Sequence, residues 1–395
     1  MPSDQSTWLI AVPQDGDSEG LVQELSSKLG GSKSIGVGTL NVPSFKTGTL
    51  DSLVSLSEEL PKQDAYFTSV VAKIVDTLRN LLNNESAKVS QHILVNEQPV
   101  DDYLFGRYTG GWKWNEGRYG VQKGLRELAE VLNKELTSID NVTKLKLNNY
   151  NLAKGSLVQL QRKQTGNLSV RNLSEIVSKE HFIQDSEYLE TVLVAIPNNN
   201  VKDWSAKYER LASMVVPRSS VTITSDSDFT LFAVVIFRRC RDEFAQKCRE
   251  NRFIIRDFTF TDDQLVKHQE ELSSAEEAER ELWTELLRLS RTNFSEAFQL
   301  LVHLKVMRLF VESVLRYGLP SNYTGVIIKP DPKLAKKTLS TLSSQFAYLA
   351  PRANAAPARS KKKQETTDDF AGEYQQIMEQ EFFDFALFEV PWIII

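Results

Sequence analysis

Two glycine-rich segments contain residue types that could hold a phosphate group. Gly30-Gly31-Ser32-Lys33-Ser34 combines small residues with a lysine, but a phosphate loop needs its lysine directly after a glycine, and Lys33 follows Ser32. Gly36-Val37-Gly38 lacks the third glycine of a dinucleotide-binding turn. We therefore expect an ordinary loop here and no bound nucleotide.

The histidines, cysteines and paired acids do not suggest a reactive site either. The four histidines, His92, His181, His268 and His303, are far apart and lack metal-ligand spacing, and His303 lies in an apolar stretch that predicts a packed structural residue. Cys240 and Cys248 would be about 12 Å apart on a helix, which predicts free thiols in a reducing compartment. Asp101-Asp102 predicts a solvated loop. With no nucleophile motif in the sequence, we expect a protein that is not an enzyme and has no catalytic residue, cofactor or metal.

A dense cluster of basic residues is the main candidate for a binding surface. It comprises Arg238, Arg239, Arg241, Lys247, Arg249, Arg252 and Arg256. A solvated helix face would explain the cluster without a function. The functional interpretation is a surface for an acidic protein partner, whose encounter rate and orientation charge complementarity would set. Nucleic acid is disfavoured because the formal net charge of the chain is −5. Trp112-Lys113-Trp114 could be an exposed anchor, although docking of both rings onto the body is the favoured interpretation.

The composition is that of an ordinary globular protein with more than one folding unit. The chain has 395 residues, of which 41% are hydrophobic and 25% are charged. No apolar run approaches the roughly 20 residues that span a bilayer, and the sequence does not open with a basic region and an apolar core. We therefore expect a cytosolic protein without direct membrane insertion.

Both ends of the chain predict mixed strand and helix segments. At the start we expect a strand at Trp8–Pro13, a helix at 17–29 and a strand at Ile35–Leu40. Towards the end we expect a strand at Val326–Ile328, a helix at Pro332–Tyr348, a flexible Ala/Pro/Lys-rich segment at 351–369 and a final strand within Phe382–Ile395.

Two long amphipathic runs flank the middle of the chain. After a helix at Leu56–Leu82 and a loop at 96–117, apolar residues, including Leu145 and Leu152, recur every three or four positions from Val121 to Leu160. The second run begins at the capping box Thr261-Asp262-Asp263-Gln264 and ends at Tyr317-Gly318-Leu319-Pro320. At 1.5 Å per residue, these helices would be roughly 65 and 80 Å long.

Residues 167–260, between the two runs, carry the pattern of a compact α/β unit. We expect strands at Thr191–Ile196, Val221–Thr224, Phe229–Phe237 and Phe253–Phe260, with helices at 200–214 and 239–251. The order β-α-β-β-α-β predicts a sheet covered by helices on one face.

The order of the elements predicts a mixed α and β, elongated dumbbell. One long helix enters the inserted α/β unit and another leaves it, so the two should lie antiparallel as a neck and bury each other's apolar stripe. The two ends of the chain would then meet in one foot domain, with the inserted unit as the head. The predicted domains are 1–56 (foot, N-terminal part), 57–166 (foot and neck helices), 167–260 (head), 261–318 (neck helix returning to the foot) and 319–395 (foot, C-terminal part).

Several motifs resemble the C subunit of the eukaryotic vacuolar-type proton-translocating ATPase (V-ATPase). They are Trp8–Pro13, Phe45–Leu53, Lys163–Leu173, Thr191–Pro197 and Phe310–Pro320, of which the Tyr317–Pro320 end is the most specific. The resemblance extends over nearly the whole length, with 351–369 departing from the family pattern.

The resemblance implies a non-catalytic stator or connector protein of the pump. Such a protein links the peripheral stalks of the soluble ATP-hydrolysing sector to the membrane proton-translocating sector, is needed for assembly and takes part in regulated, reversible disassembly. The implied partners are the E and G subunits of the stalks at head and foot, the cytosolic domain of the membrane a subunit at the foot, and, for some members, actin. The implied location is the cytoplasm and the cytosolic face of vacuolar and other endomembranes. The alternative is a cytoskeletal, actin-binding or tethering coiled-coil adaptor.

Overall fold

A computed structural model describes residues 3–13, 18–29, 35–106, 111–173, 176–183, 186–258, 264–320, 322–349 and 383–393. Over these residues the chain forms nine α-helices and ten strands. The helices are α1 Ser18–Leu29, α2 Leu50–Leu81, α3 Ser86–His92, α4 Val100–Phe105, α5 Leu125–Thr165, α6 Val201–Lys207, α7 Arg241–Glu250, α8 Gln264–Tyr317 and α9 Ala335–Gln345. The strands are β1 Ser6–Pro13, β2 Gly36–Leu40, β3 Leu94–Val95, β4 Gln98–Pro99, β5 Leu189–Pro197, β6 Val221–Ser225, β7 Phe229–Phe237, β8 Ile254–Arg256, β9 Tyr323–Lys329 and β10 Ala386–Pro391. The predicted mixed α and β class is confirmed, and the named strands pair antiparallel.

The chain divides into two compact units. The first unit combines Met1–Leu145 with Leu286–Ile395, and the second is Lys146–Glu285. Both divisions fall inside the long helices α5 and α8. The second unit contains the predicted head, 167–260, together with the adjoining parts of the two helices.

The main sheet of the first unit joins strands from both ends of the chain. Its order is β10-β1-β9-β2, so β1 has the C-terminal strand on one side and β9 on the other. Trp8 is opposite Glu389 in β10 and opposite Ile328 in β9. Every residue from Ser6 to Val12 is buried, which explains why this strand is a continuous apolar run rather than an alternating one.

The end of α8 holds the C-terminal strand against this sheet. The Tyr317 hydroxyl donates to the Ala11 carbonyl at 3.1 Å and accepts the Ala386 N–H at 2.8 Å. Burial raises the pKa of Tyr317 to about 12, so its hydroxyl remains a donor at neutral pH. Arg316 donates to the Phe383 carbonyl at 2.6 Å. The Tyr317–Pro320 motif therefore contributes directly to closing the sheet.

A buried ion cluster joins α2 to α8 in the first unit. Asp64 of α2 lies 2.8 Å from the Lys305 ammonium and also contacts Arg308. The Arg308 guanidinium carbon lies 4.4 Å from the centre of the Phe388 ring on β10. Burial lowers the pKa of Lys305, and the Asp64 carboxylate opposes that shift. The cluster thus connects three elements inside an otherwise apolar core.

The sheet of the second unit has the order β6-β7-β5-β8 and is covered on both faces. On one face, Trp204 of α6 and Phe244 of α7 pack on Val194 and Val234. Residues Leu168, Leu173 and Val177 precede the sheet and pack on the other face, against Leu193 and Leu231. The two helices occupy one face, as predicted, whereas the irregular segment on the opposite face carries no periodic pattern by which to predict it.

Several predicted elements differ in extent from those in the structure. The predicted loop 96–117 contains β4 and α4, two elements too short for a periodic pattern. The predicted helix 200–214 ends as α6 at Lys207 and continues as a 3₁₀ turn, Tyr208–Arg210. The predicted strand Phe253–Phe260 is limited to Ile254–Arg256. Thr261–Asp263 of the capping box and the 351–369 segment lie outside the described residues.

The predicted apolar face of α5 was wrong for part of its length. Leu145 is 59% exposed and Leu152 is 73% exposed, although both belong to the stripe expected to be buried against α8. The buried positions are instead Asp140, Thr143 and Tyr150. Polar side chains on this face make hydrogen bonds to other helices, as where Tyr66 of α2 donates to Asp140 at 3.3 Å.

Candidate partner-binding surface

The seven predicted surface cations lie on three consecutive elements of the second unit. They are Arg238 and Arg239 in a 3₁₀ turn, Arg241, Lys247 and Arg249 on α7, Arg252 just after α7, and Arg256 on β8. All except Arg256 are exposed. Because α7 has 10 residues, its ends are about 15 Å apart. The six exposed cations therefore form two groups, one at each end of α7, rather than a single patch.

Two of the cations are neutralised by carboxylates of the same unit. Arg241 lies 3.3 Å from a Glu190 oxygen and 2.7 Å from an Asp257 oxygen. Lys247 lies 2.8 Å from a Glu250 oxygen. These pairs are partly exposed and contribute little to stability, but they reduce the positive potential that a partner would encounter.

Arg256 has a structural contact network that the sequence pattern did not reveal. Its guanidinium donates to three main-chain carbonyls, those of Leu168 (3.2 Å), Val170 (3.3 Å) and Arg171 (2.7 Å). Half-burial lowers the pKa of Arg256, which still leaves an arginine charged at neutral pH. The side chain fixes the segment that covers one face of the sheet, so its donors are directed inward.

Four of the exposed cations have no carboxylate partner among the described residues. They are Arg238, Arg239, Arg249 and Arg252. Arg239 contacts the Met214 sulfur at 3.1 Å. Arg238 and Arg239 are adjacent to each other at the start of α7, whereas the other two lie at its end. These four side chains are the part of the predicted cluster that remains available to an acidic partner.

Apolar side chains that the sequence analysis missed lie beside Arg238 and Arg239. Tyr188 is 72% exposed, Phe237 is 37% exposed and Met214 is 36% exposed. Phe237 is the last residue of β7 and has the outward position of a strand whose preceding residue, Ile236, is buried. The alternation at the end of β7 could have revealed Phe237, but Tyr188 and Met214 lie in irregular segments that give no such signal.

The aromatic pair Trp112 and Trp114 is docked rather than exposed. Both rings are buried and contact the imidazole of His303, with centroid separations of 5.0 and 4.7 Å. His303 Nε2 accepts the Asn115 N–H at 3.3 Å, and its Nδ1 lies 2.7 Å from the Gln299 carbonyl. Burial lowers the pKa of His303 to about 4. The predictions of docked tryptophans and a packed structural histidine are confirmed.

The other residues considered for chemistry are also held in structural settings. Cys240 and Cys248 are free and buried, and burial raises the pKa of the Cys248 thiol to about 12. Asp101 pairs with Lys329 at 2.5 Å. Within the described part of the chain, no group of His, Cys, Asp or Glu side chains could hold a metal ion, and no helix is long and apolar enough to cross a membrane. The Gly30–Ser34 segment lies outside the described residues.

Comparison with known proteins gives matches over most of the chain. A family model that describes the C subunit of V-ATPase matches residues 7–386. The V-type proton ATPase C 1 subunits of Macaca fascicularis and Bos taurus are each 38% identical over 343 residues, covering 87% of this chain and 88% of theirs. The search of solved structures matches a crystal structure of the cytoplasmic N-terminal domain of the V-ATPase I subunit, a homolog of the a subunit. The match covers 86% of this chain and 97% of that one at 15% sequence identity. Its TM-score of 0.28 is too low to indicate a shared fold.

The extent of these matches defines the chain as a component of the V-type proton ATPase class. It belongs to the family of V-ATPase C subunits. The family expected from the sequence motifs is thereby confirmed, and with it the role of a connector within the pump.

Proposed function

We propose that the chain is a non-catalytic connector that links the peripheral stalks of a V-ATPase to its membrane sector. The observation that carries this proposal is the match of the family over residues 7–386. The chain would act in the cytoplasm and, within the assembled pump, at the cytosolic face of vacuolar and other endomembranes. Its contribution would be mechanical, since the stator of a rotary pump must resist torque.

The architecture proposed for this role is a dumbbell with a foot, a neck and a head. Pairing of β1 with β10 and β9 supports a foot built from 1–56 and 319–395. Contacts of α5 with α8, Thr143 to Asn293 in the first unit and Lys146 to Glu285 in the second, support antiparallel neck helices within 57–166 and 261–318. The inserted head would be 167–260.

The proposed partners are the E and G subunits of the stalks at both head and foot, and the cytosolic domain of the membrane a subunit at the foot. On the head, the predicted set Arg238, Arg239, Arg241, Lys247, Arg249, Arg252 and Arg256 would face an acidic surface. The unpaired members, Arg238, Arg239, Arg249 and Arg252, are best suited to this, because Arg241, Lys247 and Arg256 already have partners in the chain.

Two moderate interfaces on one rigid body would explain both secure assembly and reversible release. When one end is bound, the other binds as an intramolecular event at high effective concentration. Weakening either interface then removes the high effective concentration that keeps the other end bound. Regulated disassembly of the soluble sector could therefore begin with a change at a single end of the chain.

Binding of a purified E–G heterodimer to the full chain tests this proposal. We expect binding by the unmodified chain, and Arg238→Glu/Arg239→Glu should lower the association rate about tenfold at low salt, with less effect at high salt. Arg241 is left unchanged because a glutamate there would face Glu190 and Asp257. Lys202→Glu/Arg210→Glu is the control, with the same charge change at two exposed positions of the same unit. Failure of the unmodified chain to bind the heterodimer would contradict the proposal.

The long helices also suit the alternative of an actin-binding or tethering adaptor. Co-sedimentation with actin filaments, combined with no binding to the E–G heterodimer, would favour that alternative over the connector. Binding to both would support the connector with actin as a further partner.

A further inference from the structure

A cavity of about 320 Å³ opens on the first unit between β1 and the start of α9, and is here named the α9 cavity. Trp8 and Leu339 line it and are both buried, so they form an apolar inner wall. Lys333 and Lys336 also line it and are exposed, so their ammonium groups lie towards its mouth. Asp4, also exposed, is the one acid among the lining residues. The cavity therefore combines an apolar wall with a mainly cationic entrance.

The lysines at the start of α9 have no charge partner in the described part of the chain. Lys333, Lys336 and the neighbouring Lys337 are exposed, and no carboxylate of the described residues forms an ion pair with them. Other lysines of the same unit are paired, as Lys28 is with Glu24 and Lys329 with Asp101. A ligand that matches this surface must therefore bring carboxylates, together with an apolar group for the inner wall.

The chain itself carries a sequence with that chemistry. Residues 364–382, here named the acidic segment, contain no lysine or arginine and have six acids, Glu365, Asp368, Asp369, Glu373, Glu379 and Glu381. Phe370 directly follows Asp368-Asp369, so one aromatic ring is adjacent to two carboxylates. The acidic segment lies outside the described residues, and its composition complements the α9 cavity in both charge and polarity.

The attachment points of the acidic segment favour binding within the same molecule. Leu349 and Phe383, the described residues on either side of 350–382, both pack against the apolar cluster that contains Trp8 and Leu339. Phe370 precedes Phe383 by 13 positions, and a chain of that length spans up to roughly 43 Å. A sequence tethered so close to its site has a high effective concentration, so a weak contact is sufficient.

We propose that the α9 cavity is the docking site of the chain's own acidic segment, with the Phe370 ring against Trp8 and Leu339 and the carboxylates of Asp368 and Asp369 facing Lys333, Lys336 and Lys337. The contact occupies a basic surface of the first unit with a ligand that the same chain supplies. This goes beyond the proposed function, and its test involves no stalk subunit.

Zero-length crosslinking of the full chain tests the docking. A carbodiimide joins a lysine amine to a carboxylate without a spacer, and peptide mass spectrometry identifies the joined residues. We expect links from Lys333, Lys336 and Lys337 to acids of residues 364–382. Their yield should fall severalfold from about 0.1 to 1 M salt, as the Debye length shortens from about 10 to 3 Å. The Lys329–Asp101 pair, at 2.5 Å, is the internal standard.

Variants within the acidic segment separate the aromatic contact from the charges. Phe370→Ser keeps every lysine and acid, and should lower the yield at least fivefold, because burial of such a ring changes a binding equilibrium by about tenfold or more. Tyr374→Ser, four positions further on, is the matched control and should lower it less than twofold. Asp368→Asn/Asp369→Asn should remove the main links while Phe370 remains.

Three results would overturn the proposal. The first is a yield from Lys113, an exposed lysine of the same unit, equal to that from Lys336, since this would show unselective contact. The second is linkage of the acids to Lys361–Lys363 alone, which would assign them to the basic residues just before the segment. The third is linkage between isotopically labelled and unlabelled molecules in a mixture, which would make a second copy the occupant.

Discussion

Asn293 of α8 donates its side-chain amide to the Thr143 hydroxyl of α5 across 2.8 Å, and both residues are buried. The Thr143 hydroxyl in turn donates to the Ile139 carbonyl at 2.8 Å, so its hydrogen and a lone pair are both used. A buried polar pair of this kind favours one register of two packed helices over all others.

Removal of the Thr143 hydroxyl alone should therefore destabilise the first unit, whereas removal of both the Thr143 hydroxyl and the Asn293 amide should not. Thr143→Val leaves the Asn293 amide buried without an acceptor, and we expect the free energy of unfolding to fall by about 1–3 kcal/mol. Thr143→Val/Asn293→Leu should recover most of that loss. Urea denaturation measures both, with the exposed Val142→Thr as the control expected to lie within about 0.5 kcal/mol of the unmodified chain. A double variant as unstable as the single would show that the hydrogen bond is not the cause.

His303 should make the first unit sensitive to acid. Its pKa is lowered to about 4 in the folded chain, so the unfolded chain binds the proton first as the pH falls from 6.5. The contribution of neutral His303 to the free energy of unfolding is therefore fully present above pH 6.5. It is lost as the pH falls from about 6.5 to 4, and the loss amounts to roughly 3 kcal/mol.

The free energy of unfolding of a His303→Gln variant should depend less steeply on pH across that interval. Fluorescence of Trp112 and Trp114, whose rings contact His303, reports local loosening directly. Equal slopes for the variant and the unmodified chain would exclude His303 as the acid-sensitive group.

The cluster of Asp64, Lys305 and Arg308 should respond asymmetrically to substitution. Asp64→Leu leaves the buried Lys305 ammonium without its counter-charge, and we expect a loss of about 3–5 kcal/mol in thermal or urea unfolding. Asp64→Leu/Lys305→Met removes both charges and should lose considerably less. Asp76→Leu on the same helix, at an exposed acid, is the control. Equal losses of stability in the single and double variants would indicate that lost packing, rather than the unpaired charge of Lys305, causes the destabilisation.

Arg256 should behave differently from the other cations of its cluster. Arg256→Ala leaves three carbonyls without their donor, and the second unit should lose about 1–3 kcal/mol. Arg256→Lys should rescue only part of it, because an ammonium lacks the planar fork of the guanidinium. Arg249→Ala, on the exposed end of α7, should change stability by less than about 0.5 kcal/mol. Limited proteolysis near Leu168 reports release of the covering segment, and resistance equal to that of the unmodified chain would contradict the assignment.

Much of the fold could be predicted because its elements are long or strongly apolar. β1 is a run of buried residues ending at Pro13, and α8 ends at Tyr317, just before Gly318, so composition alone locates both. The exposed leucines of α5 show where this fails. Helical spacing identifies apolar residues on a helix, but the buried face here includes Asp140 and Thr143. Their hydrogen-bond partners, Tyr66 and Asn293, lie far away in sequence, so no pattern within α5 could reveal them.

The candidate surface could be predicted only in outline. The close spacing of seven basic residues in the sequence identifies the cluster. Whether a given arginine can face a partner, however, depends on what lies opposite it in the fold. Glu190, 51 residues before Arg241, pairs with its guanidinium, and the carbonyl of Leu168, 88 residues before Arg256, accepts from that arginine. Both guanidiniums therefore already have partners within the chain. Tyr188 was missed because a single tyrosine in an irregular segment gives no periodic pattern.

The interleaved sheet of the first unit has a consequence for how the protein is made. Thr7 and Trp392, which share a hydrogen bond, are 385 residues apart, so the flank of β1 that pairs with β10 stays bare until the ribosome has translated nearly the whole chain. At about 5–20 residues per second, that interval is roughly 20–80 s, during which one of the most apolar strands of the protein has an open hydrogen-bonding edge. The nascent chain is therefore expected to depend on chaperones during synthesis, whereas the second unit has its whole sheet within 68 consecutive residues, Leu189–Arg256, and can fold as it emerges.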